Sequence, residues 1–419
     1  MKLFQQMLVA FTGLSLIAPI GAQASDFNIE GMNTYVRKKS SSKTKKQFNS
    51  KTFANEVATF ENVDASDKFK EFEAGGFSDT TTMDGKAIFT VLSVDSEDNA
   101  SIASTGQDLV GNVHAAYTYQ INLNTSFNGD DNLYVRLKTG NHKGPSDEKT
   151  SYNTYLSAAN GKADSLTVDK IWYTMPIGDT NNTVFIGPAV ENYYMHGTTP
   201  SIYKSVLKSF TLGGNAAAYG ASTSPGAGWK YVADNGFALS SNFATQDGEN
   251  KGMLSKEGKT SWATQIGVTK PQYAVSAILN MKYNGWTDSY FKSTDGSKRP
   301  DSTGAATGDS SNIGLRGWWR PLDTGTAVPE ISVGYDTSKT EASTGGDTTD
   351  AYFVGLTWQD MFTAEDRIGL AFGQPQKHED DKVNPFLYEI YYDYKLNDSV
   401  TVTPAFFGGT SKNLSLIHI

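Results

Sequence analysis

The side chains of this 419-residue chain that could do chemistry stand at alternate positions, with apolar residues between them. Arg136 and Lys138 flank Leu137, Lys170 and Trp172 flank Ile171, and Glu389 and Asp393 alternate with Tyr388, Ile390, Tyr392 and Tyr394. Glu330 and Lys230 fall in similar stretches, and Arg316 and Arg320 join them, although the Gly-Trp-Trp between leaves their register open. Charges fixed on one face of a sheet select ions through their local potential, and aromatic rings beside polar groups give sugars a stacking face. Catalysis is harder to build from this chain. It has no Cys, which excludes disulfides, thiolate metal sites and Cys nucleophiles. Its five His (His114, His142, His196, His378, His418) are scattered, with no pair at helical ligand spacing. Gly220-Ala-Ser-Thr-Ser224 resembles a nucleophile elbow only superficially and follows no buried parallel strand. Asp130-Asp131 and Glu379-Asp380-Asp381 could hold a divalent cation, but solvated turns are the default. We expect no enzyme, no metal and no cofactor, and a net charge of −9 argues against a nucleic-acid partner.

The elements that position these side chains read as strands. Residues 386–396 put Tyr388, Ile390, Tyr392, Tyr394 and Leu396 on one face and Glu389, Tyr391, Asp393 and Lys395 on the other. Residues 399–407 repeat the alternation after Asn397-Asp398, so the pair reads as an antiparallel hairpin. Period-two stretches recur at 86–94, 113–123, 133–137, 168–176, 184–190, 228–234, 237–244, 261–268, 273–283, 313–319, 329–335, 352–358 and 368–372, about fifteen candidates in all. Most have the length of a tilted strand that crosses a bilayer. Asn235-Gly236 marks a tight turn. Residues 140–165, 247–259, 287–310, 337–349 and 374–384 are long polar connections. Tight turns at one rim and long loops at the other describe an outer-membrane barrel, and a mean hydropathy of −0.42 suits one, because half of each strand is polar. A soluble β-sandwich would instead bury the apolar face. On the barrel reading, Tyr117, Tyr119, Tyr173, Tyr273, Tyr283, Tyr388, Tyr392 and Tyr394 form a lipid-facing aromatic girdle.

One connection differs. Residues 192–228, preceded by Glu191, carry only Lys204 and Lys208 as charges and mix aromatics with Ile202, Val206, Leu207, Phe210 and Leu212. Either this stretch folds into the barrel and narrows it, or it is an extra strand plus a surface loop. On the first reading Glu191, Lys204 and Lys208 join Arg136, Lys138, Lys170, Trp172, Lys230, Arg316, Arg320 and Glu330 as pore-lining residues, and Lys204, Lys208 and Arg136 give a weak anion preference.

Before the first strand, residues 1–24 have the basic start, short apolar core and Ala22-Gln23-Ala24 site of a secretory signal. Residues 37–51 hold seven basic residues and no acidic one, within a segment 25–72 expected to be largely disordered and periplasmic. The tract is a spacer or a contact to an anionic wall polymer such as peptidoglycan.

The set Met1-Lys-Leu-Phe-Gln-Gln-Met-Leu-Val-Ala10, Phe72-Glu-Ala-Gly-Gly-Phe-Ser-Asp-Thr-Thr-Thr82, Pro200-Ser-Ile-Tyr203 with Leu207-Lys208 and Leu212-Gly-Gly214, and Tyr388-Glu-Ile-Tyr-Tyr-Asp-Tyr394 with Val402-Thr-Pro-Ala405 resembles cyanobacterial porins similar to the OprB carbohydrate-selective family, some of them assigned to iron uptake. The resemblance covers most of residues 72–407. It implies an all-β, antiparallel transmembrane barrel of about sixteen strands, trimeric in the outer membrane, passing small hydrophilic solutes such as carbohydrates and inorganic ions without energy input. Iron or other inorganic-ion uptake is the alternative, and a structural tether between membrane and wall is a second. The family's S-layer-homology region is reduced here to residues 25–72, and the barrel spans 73–413. Residues 414–419 look like translated sequencing adapter, so we expect the last strand to be missing.

Overall fold

The computed structural model describes residues 80–96, 111–142, 155–160, 164–178, 181–214, 218–219, 223–246, 248–286, 309–341, 346–380, 384–411 and 414–418. The expected signal, the basic tract and the whole of 25–72 lie outside the described residues.

Alternation of apolar and polar side chains makes each strand amphipathic, and the described residues form seventeen strands in sixteen positions. They are β1 (Thr81–Ser96), β2 (Val113–Thr125), β3 (Asn132–Gly140), β4 (Thr167–Pro176), β5 (Asn182–Val190), β6 (Ser224–Val232), β7 (Phe237–Gln246), β8 (Lys259–Thr269), β9 (Tyr273–Tyr283), β10 (Ser310–Trp319), β11 (Glu330–Thr340), β12 (Thr348–Gln359), β13 (Arg367–His378), β14 (Phe386–Asn397), β15 (Val400–Val402), β16 (Ala405–Ser411) and β17 (Leu414–His418). β15 and β16 share one position beside β14, interrupted where Pro404 supplies no N–H to the ladder. Neighbours in sequence pair antiparallel throughout, and β17 pairs with both β16 and β1. The sheet is thus an antiparallel barrel whose two ends meet at Val94↔His418, Asp95↔Ile417 and Ser96↔Leu416.

All fifteen expected strands are present, and most are longer than their apolar faces. β11 runs on to Thr340 and β13 to His378, so the connections expected at 337–349 and 374–384 shrink to 341–347 and 379–385. Backbone pairing carries these strands past the point where apolar side chains stop. β6 begins at Ser224 rather than residue 228, which ends the unusual connection earlier. A strand forms where the last one was expected to be missing: β17 has five residues, against nine in β3 and sixteen in β1.

The apolar face points outward. Phe89, Ile186, Ile266, Val275, Leu279, Leu315, Val333 and Ile390 are exposed, while Gln265, Ser276, Asn280, Arg316, Ser332 and Glu389 beside the last six are buried. A soluble sheet would bury that face, so this outward belt identifies a barrel of the membrane-spanning kind. All eight expected girdle tyrosines take outward positions. Tyr119, Tyr273, Tyr283 and Tyr394 are exposed, and Tyr117, Tyr173, Tyr388 and Tyr392 are partly covered.

The tight-turn rim uses one device twice. In the β2–β3 turn Asp131 accepts from Ser126 Oγ (2.8 Å) and from the Phe127 and Asn128 amides (2.9 and 3.0 Å), and Tyr173 of β4 donates to its other oxygen. In the β12–β13 turn Asp366 accepts from the Met361, Phe362 and Thr363 amides (2.8, 2.9 and 2.9 Å) and from Tyr392 of β14 (2.9 Å). Phe127 and Phe362, each four residues before its Asp, are exposed beside those same tyrosine rings. Burial works to raise the Asp131 carboxyl, but the hydrogen bonds from Tyr173, the turn amides and Ser126 outweigh it and bring it down to about 2. Asp366 is lowered in the same way, burial again opposing its amide and tyrosine donors.

Candidate functional site

The connection between β5 and β6 enters the barrel and packs on its wall. Among its described residues it begins with a 3-10 turn at Asn192–Met195 and carries a second, kinked one at Lys208–Gly213. The strands it crosses hold it through inward polar side chains. His196 bonds Ser240 of β7 at 2.9 Å. Gln265 of β8 bonds both the amide and the carbonyl of Thr198, each at 3.0 Å. Trp318 of β10 donates to the Thr199 carbonyl at 3.1 Å, and Asn280 of β9 donates to that of Ala218 at 2.9 Å. Glu389 of β14 grips the middle of the loop. It accepts from Tyr203 OH (2.9 Å), the Val206 amide (3.0 Å) and the Leu207 amide (2.6 Å).

Apolar side chains finish the attachment. Tyr203, Leu207 and Phe210 pack with Phe353, Ala371, Leu387, Tyr391 and Phe407 of β12–β16, and with Leu92 and Val94 at the end of β1. Tyr193, Leu212 and Tyr219 pack with Ala263 and Ile278 of β8 and β9. Residues 155–160 brace the loop from behind: Leu156 bridges Leu207, and the Ser157 amide donates to the Val206 carbonyl at 2.7 Å. Close approach also needs small residues on the wall. A Cβ on Gly334 of β11 would run into the Gly213 carbonyl, and one on Gly355 would meet the Tyr203 ring at 2.7 Å. Burial holds His196 neutral, with Lys230 adding to the effect, and brings it down to about 3.

Two charged clusters lie at this level. Arg136 of β3 donates to Asp169 through Nε at 2.7 Å and to Tyr194 OH at 3.0 Å, while Lys170 of β4 pairs with Glu191 and stands 5.3 Å from the Tyr194 ring centre. Trp172 stacks between Tyr134 and Tyr194, with centroids 4.5 and 5.4 Å away. Sequence-adjacent Asp169 and Lys170 both serve this cluster because β4 carries a bulge there, where the register steps from Arg136↔Lys170 to Leu137↔Val168. Across the barrel Arg316 of β10 forks onto both oxygens of Asp336 (3.0 and 2.8 Å) and donates Nε to the Leu212 carbonyl at 2.7 Å.

The residues named from sequence as pore-lining therefore divide by environment. Arg136, Lys170, Trp172, Glu191, Lys230, Arg316 and Glu330 point inward but are buried. Lys138, Lys204 and Lys208 are half-buried, and Arg320 lies past the end of β10, donating to the Pro271 carbonyl at the tight-turn rim. Sequence reasoning left Asp169, Asp336 and Gln265 unnamed and gave Glu389 no partner. Among the described residues no group of three His, Asp or Glu is placed to hold a metal ion.

No protein-family model matches the chain. An uncharacterized protein of Nostoc sp. is 23% identical over 396 residues, which cover 84% of this chain and 66% of that protein, so the chain spans just under two thirds of that relative's length. Among solved structures, OprB of Pseudomonas putida at high pH matches with a TM-score of 0.53 and 10% identity, over 80% of this chain and 92% of that one. OmpT, an outer membrane protein of Vibrio cholerae in trimer form, gives 0.48 with 13% identity over 80% and 90%. A mutant of the Rh. blastica porin gives 0.47 with 11% identity over 81% and 97%. The likeness to OprB is one of fold: this chain has a porin-type barrel.

Proposed function

We propose that this protein is an outer-membrane porin through which small hydrophilic solutes, carbohydrates and inorganic ions among them, diffuse passively. The observation that carries the reading is the inverted amphipathicity of the sheet: exposed apolar side chains outside, polar and charged ones inside, and a loop drawn into the bore. Water-filled membrane barrels are built this way because every backbone group is paired in the closed sheet and the lipid meets only apolar surface. On this reading the chain reaches the outer membrane by its expected secretory signal and works as a homotrimer, without cofactor or energy input. The sequence resemblance and the OprB-like fold support membership of the cyanobacterial group similar to OprB. Contact between residues 37–51 and the cell wall, and the alternative of iron uptake, belong to the same proposal.

Asp169 offsets the charge of Arg136, which weakens the part of Arg136 in the expected anion preference. The test is the purified full chain in planar bilayers under a salt gradient, with liposome swelling by solutes of graded size. Discrete conductance steps and size-limited swelling are expected. Bilayers and liposomes that stay impermeable overturn the reading, and a strong cation preference overturns the charge assignment alone.

A further inference from the structure

The outward belt is not smooth. On β8–β11 register sets its side chains in rows. At the tight-turn rim Tyr273 stands beside Trp319. One row deeper Val275 stands between Val268 and Gly317, and Gly317 has Val333 on its other side. Ile266, Ala277, Leu315 and Tyr335 make the next row. Gly317 and Ala277 do not reach the height of the branched and aromatic side chains around them, and they floor a groove of about 740 Å³. Its walls include Ile266, Val275, Leu315 and Val333, all exposed. Packing within the sheet does not demand the glycine: a Cβ on Gly317 would meet Val333 Cγ2 at 3.5 Å and the Ala274 carbonyl at 3.8 Å, ordinary contact distances. The rim end of the groove is basic. Lys270 follows two residues after Val268, and its amide donates to the Tyr273 carbonyl at 2.7 Å. Arg320 reaches the same turn from β10, donating Nε to the Pro271 carbonyl at 2.7 Å with its guanidinium 5.6 Å from the Trp318 ring centre. Glu330 of β11 lies within the field of Arg320.

We propose that this groove seats one acyl chain of an anionic phospholipid from the leaflet at the tight-turn rim, with the lipid phosphate on Lys270 and Arg320. The inference goes beyond the porin reading and needs only the membrane barrel, so it holds whether or not the bore conducts. The occupant follows from position. The groove opens onto the apolar belt, where hydrocarbon rather than water meets it. A chain lying in it touches walls on both sides as well as the floor, and so gains more dispersion contact than a chain against the flat belt. Tyr273 and Trp319 mark the edge of the hydrocarbon, as interfacial aromatics do. One row is two residues, about 7 Å along a strand, so a phosphate at Lys270 puts its glycerol at the Tyr273–Trp319 row and the start of its chain at Gly317. A Lys or Arg at headgroup level favours an anionic lipid by about five-fold.

The test is native mass spectrometry of the purified full chain, released from detergent after incubation with phosphatidylglycerol or with phosphatidylcholine of the same acyl chains. The parent should retain one phosphatidylglycerol per chain, bound at least about five-fold tighter than phosphatidylcholine. Lys270→Gln, a change at the rim, should lose about five-fold for phosphatidylglycerol and nothing for phosphatidylcholine. Gly317→Leu fills the groove and should abolish retention of both lipids. Ala115→Leu, an exposed position on β2 outside the groove, should change nothing. A parent that retains no lipid, or retention unchanged in Gly317→Leu, overturns the seat. Equal retention of the two lipids by the parent, or an unaltered preference in Lys270→Gln, overturns the headgroup assignment. An oligomer that Gly317→Leu splits with no lipid lost gives the groove to a second copy of the chain and overturns the proposal. Planar-bilayer conductance of the same preparations separates the two readings: a parent that never conducts overturns the porin reading and leaves the lipid seat standing.

Discussion

Replacing Glu389 should loosen the inward loop without unfolding the barrel, and the size of the effect follows from its three hydrogen bonds. The carboxylate is fully buried and accepts from Tyr203 OH, the Val206 amide and the Leu207 amide. Glu389→Ala removes the acceptor of all three donors. Each buried donor left unsatisfied costs about 1–3 kcal/mol. The apolar packing of Leu207 and Phe210 on Phe353 and Leu387 remains, and water can enter the space vacated by the carboxylate. The lower half of that range, about 3–6 kcal/mol for three donors, is therefore the appropriate loss of local attachment. At about 1.4 kcal/mol per decade, local opening at Val206 and Leu207 rises roughly 10²- to 10⁴-fold. Glu389→Gln keeps one acceptor oxygen and should fall between the alanine variant and the parent. Hydrogen exchange of the two amides reads this directly, and single-channel records should show larger or noisier openings. Val206 and Leu207 protection unchanged in Glu389→Ala would refute the reasoning. So would an equal loss of protection in β8 and β9, which would mean that the carboxylate supports the whole barrel rather than the loop.

Three further outcomes follow from the same contacts. Arg316→Ala should cost about 3–5 kcal/mol in detergent melts by leaving Asp336 charged and unpaired in the wall, whereas Arg316→Met with Asp336→Leu should recover most of it; two equally damaged variants would show that the pair is not the cause. Gly334→Ala should push residues 212–214 off β11 and raise conductance with little change in barrel melting, because the added methyl meets the Gly213 carbonyl; unaltered conductance would count against that approach. The Asp131 turn fixes a pH dependence. A carboxyl lowered to about 2 in the folded chain stabilises it fully above the ordinary carboxylate value near 4 and loses that contribution as pH falls toward 2. Melting between pH 5 and 2 should therefore fall less steeply in Asp131→Asn than in the parent, and identical slopes would remove Asp131 from the account.

The strands were legible because pleat and membrane impose the same period on the side chains. Tyr273–Tyr283 reads to the residue, since its apolar alternation is flanked by Pro271 on one side and Asn284-Gly285 on the other. In β3 the apolar alternation stops at residue 137, because Lys138 and Thr139 are polar on both faces and only pairing with Gln120 and Tyr119 marks them as strand. β17 carries no local signal that outweighs its odd composition; its strand character comes from β16 and β1 on either side. The inward loop showed itself by apolar residues that a solvent loop does not need. Its hold on Glu389, more than 180 positions away in sequence, is a tertiary fact that no local pattern contains.

The charge cluster at β3–β5 shows where alternation misleads and what could have corrected it. Strict period two over Thr167–Pro176 puts Lys170 and Trp172 inside and Ile171 and Tyr173 outside, which also sends Asp169 to the lipid face. A carboxylate there is costly, so an acid alternating onto the apolar side is itself a sign that the period breaks. The bulge at Asp169 resolves the conflict by turning two successive side chains toward Arg136. The consequence is electrostatic. Read without the bulge, Arg136 and Lys170 face a single acid, Glu191. With it, Asp169 and Glu191 face them, and the local charge is balanced. A fixed pair of opposite charges attracts neither cation nor anion at a distance, so the field a solute meets comes from the groups left facing water. Selectivity should therefore not follow the charges of the buried cluster.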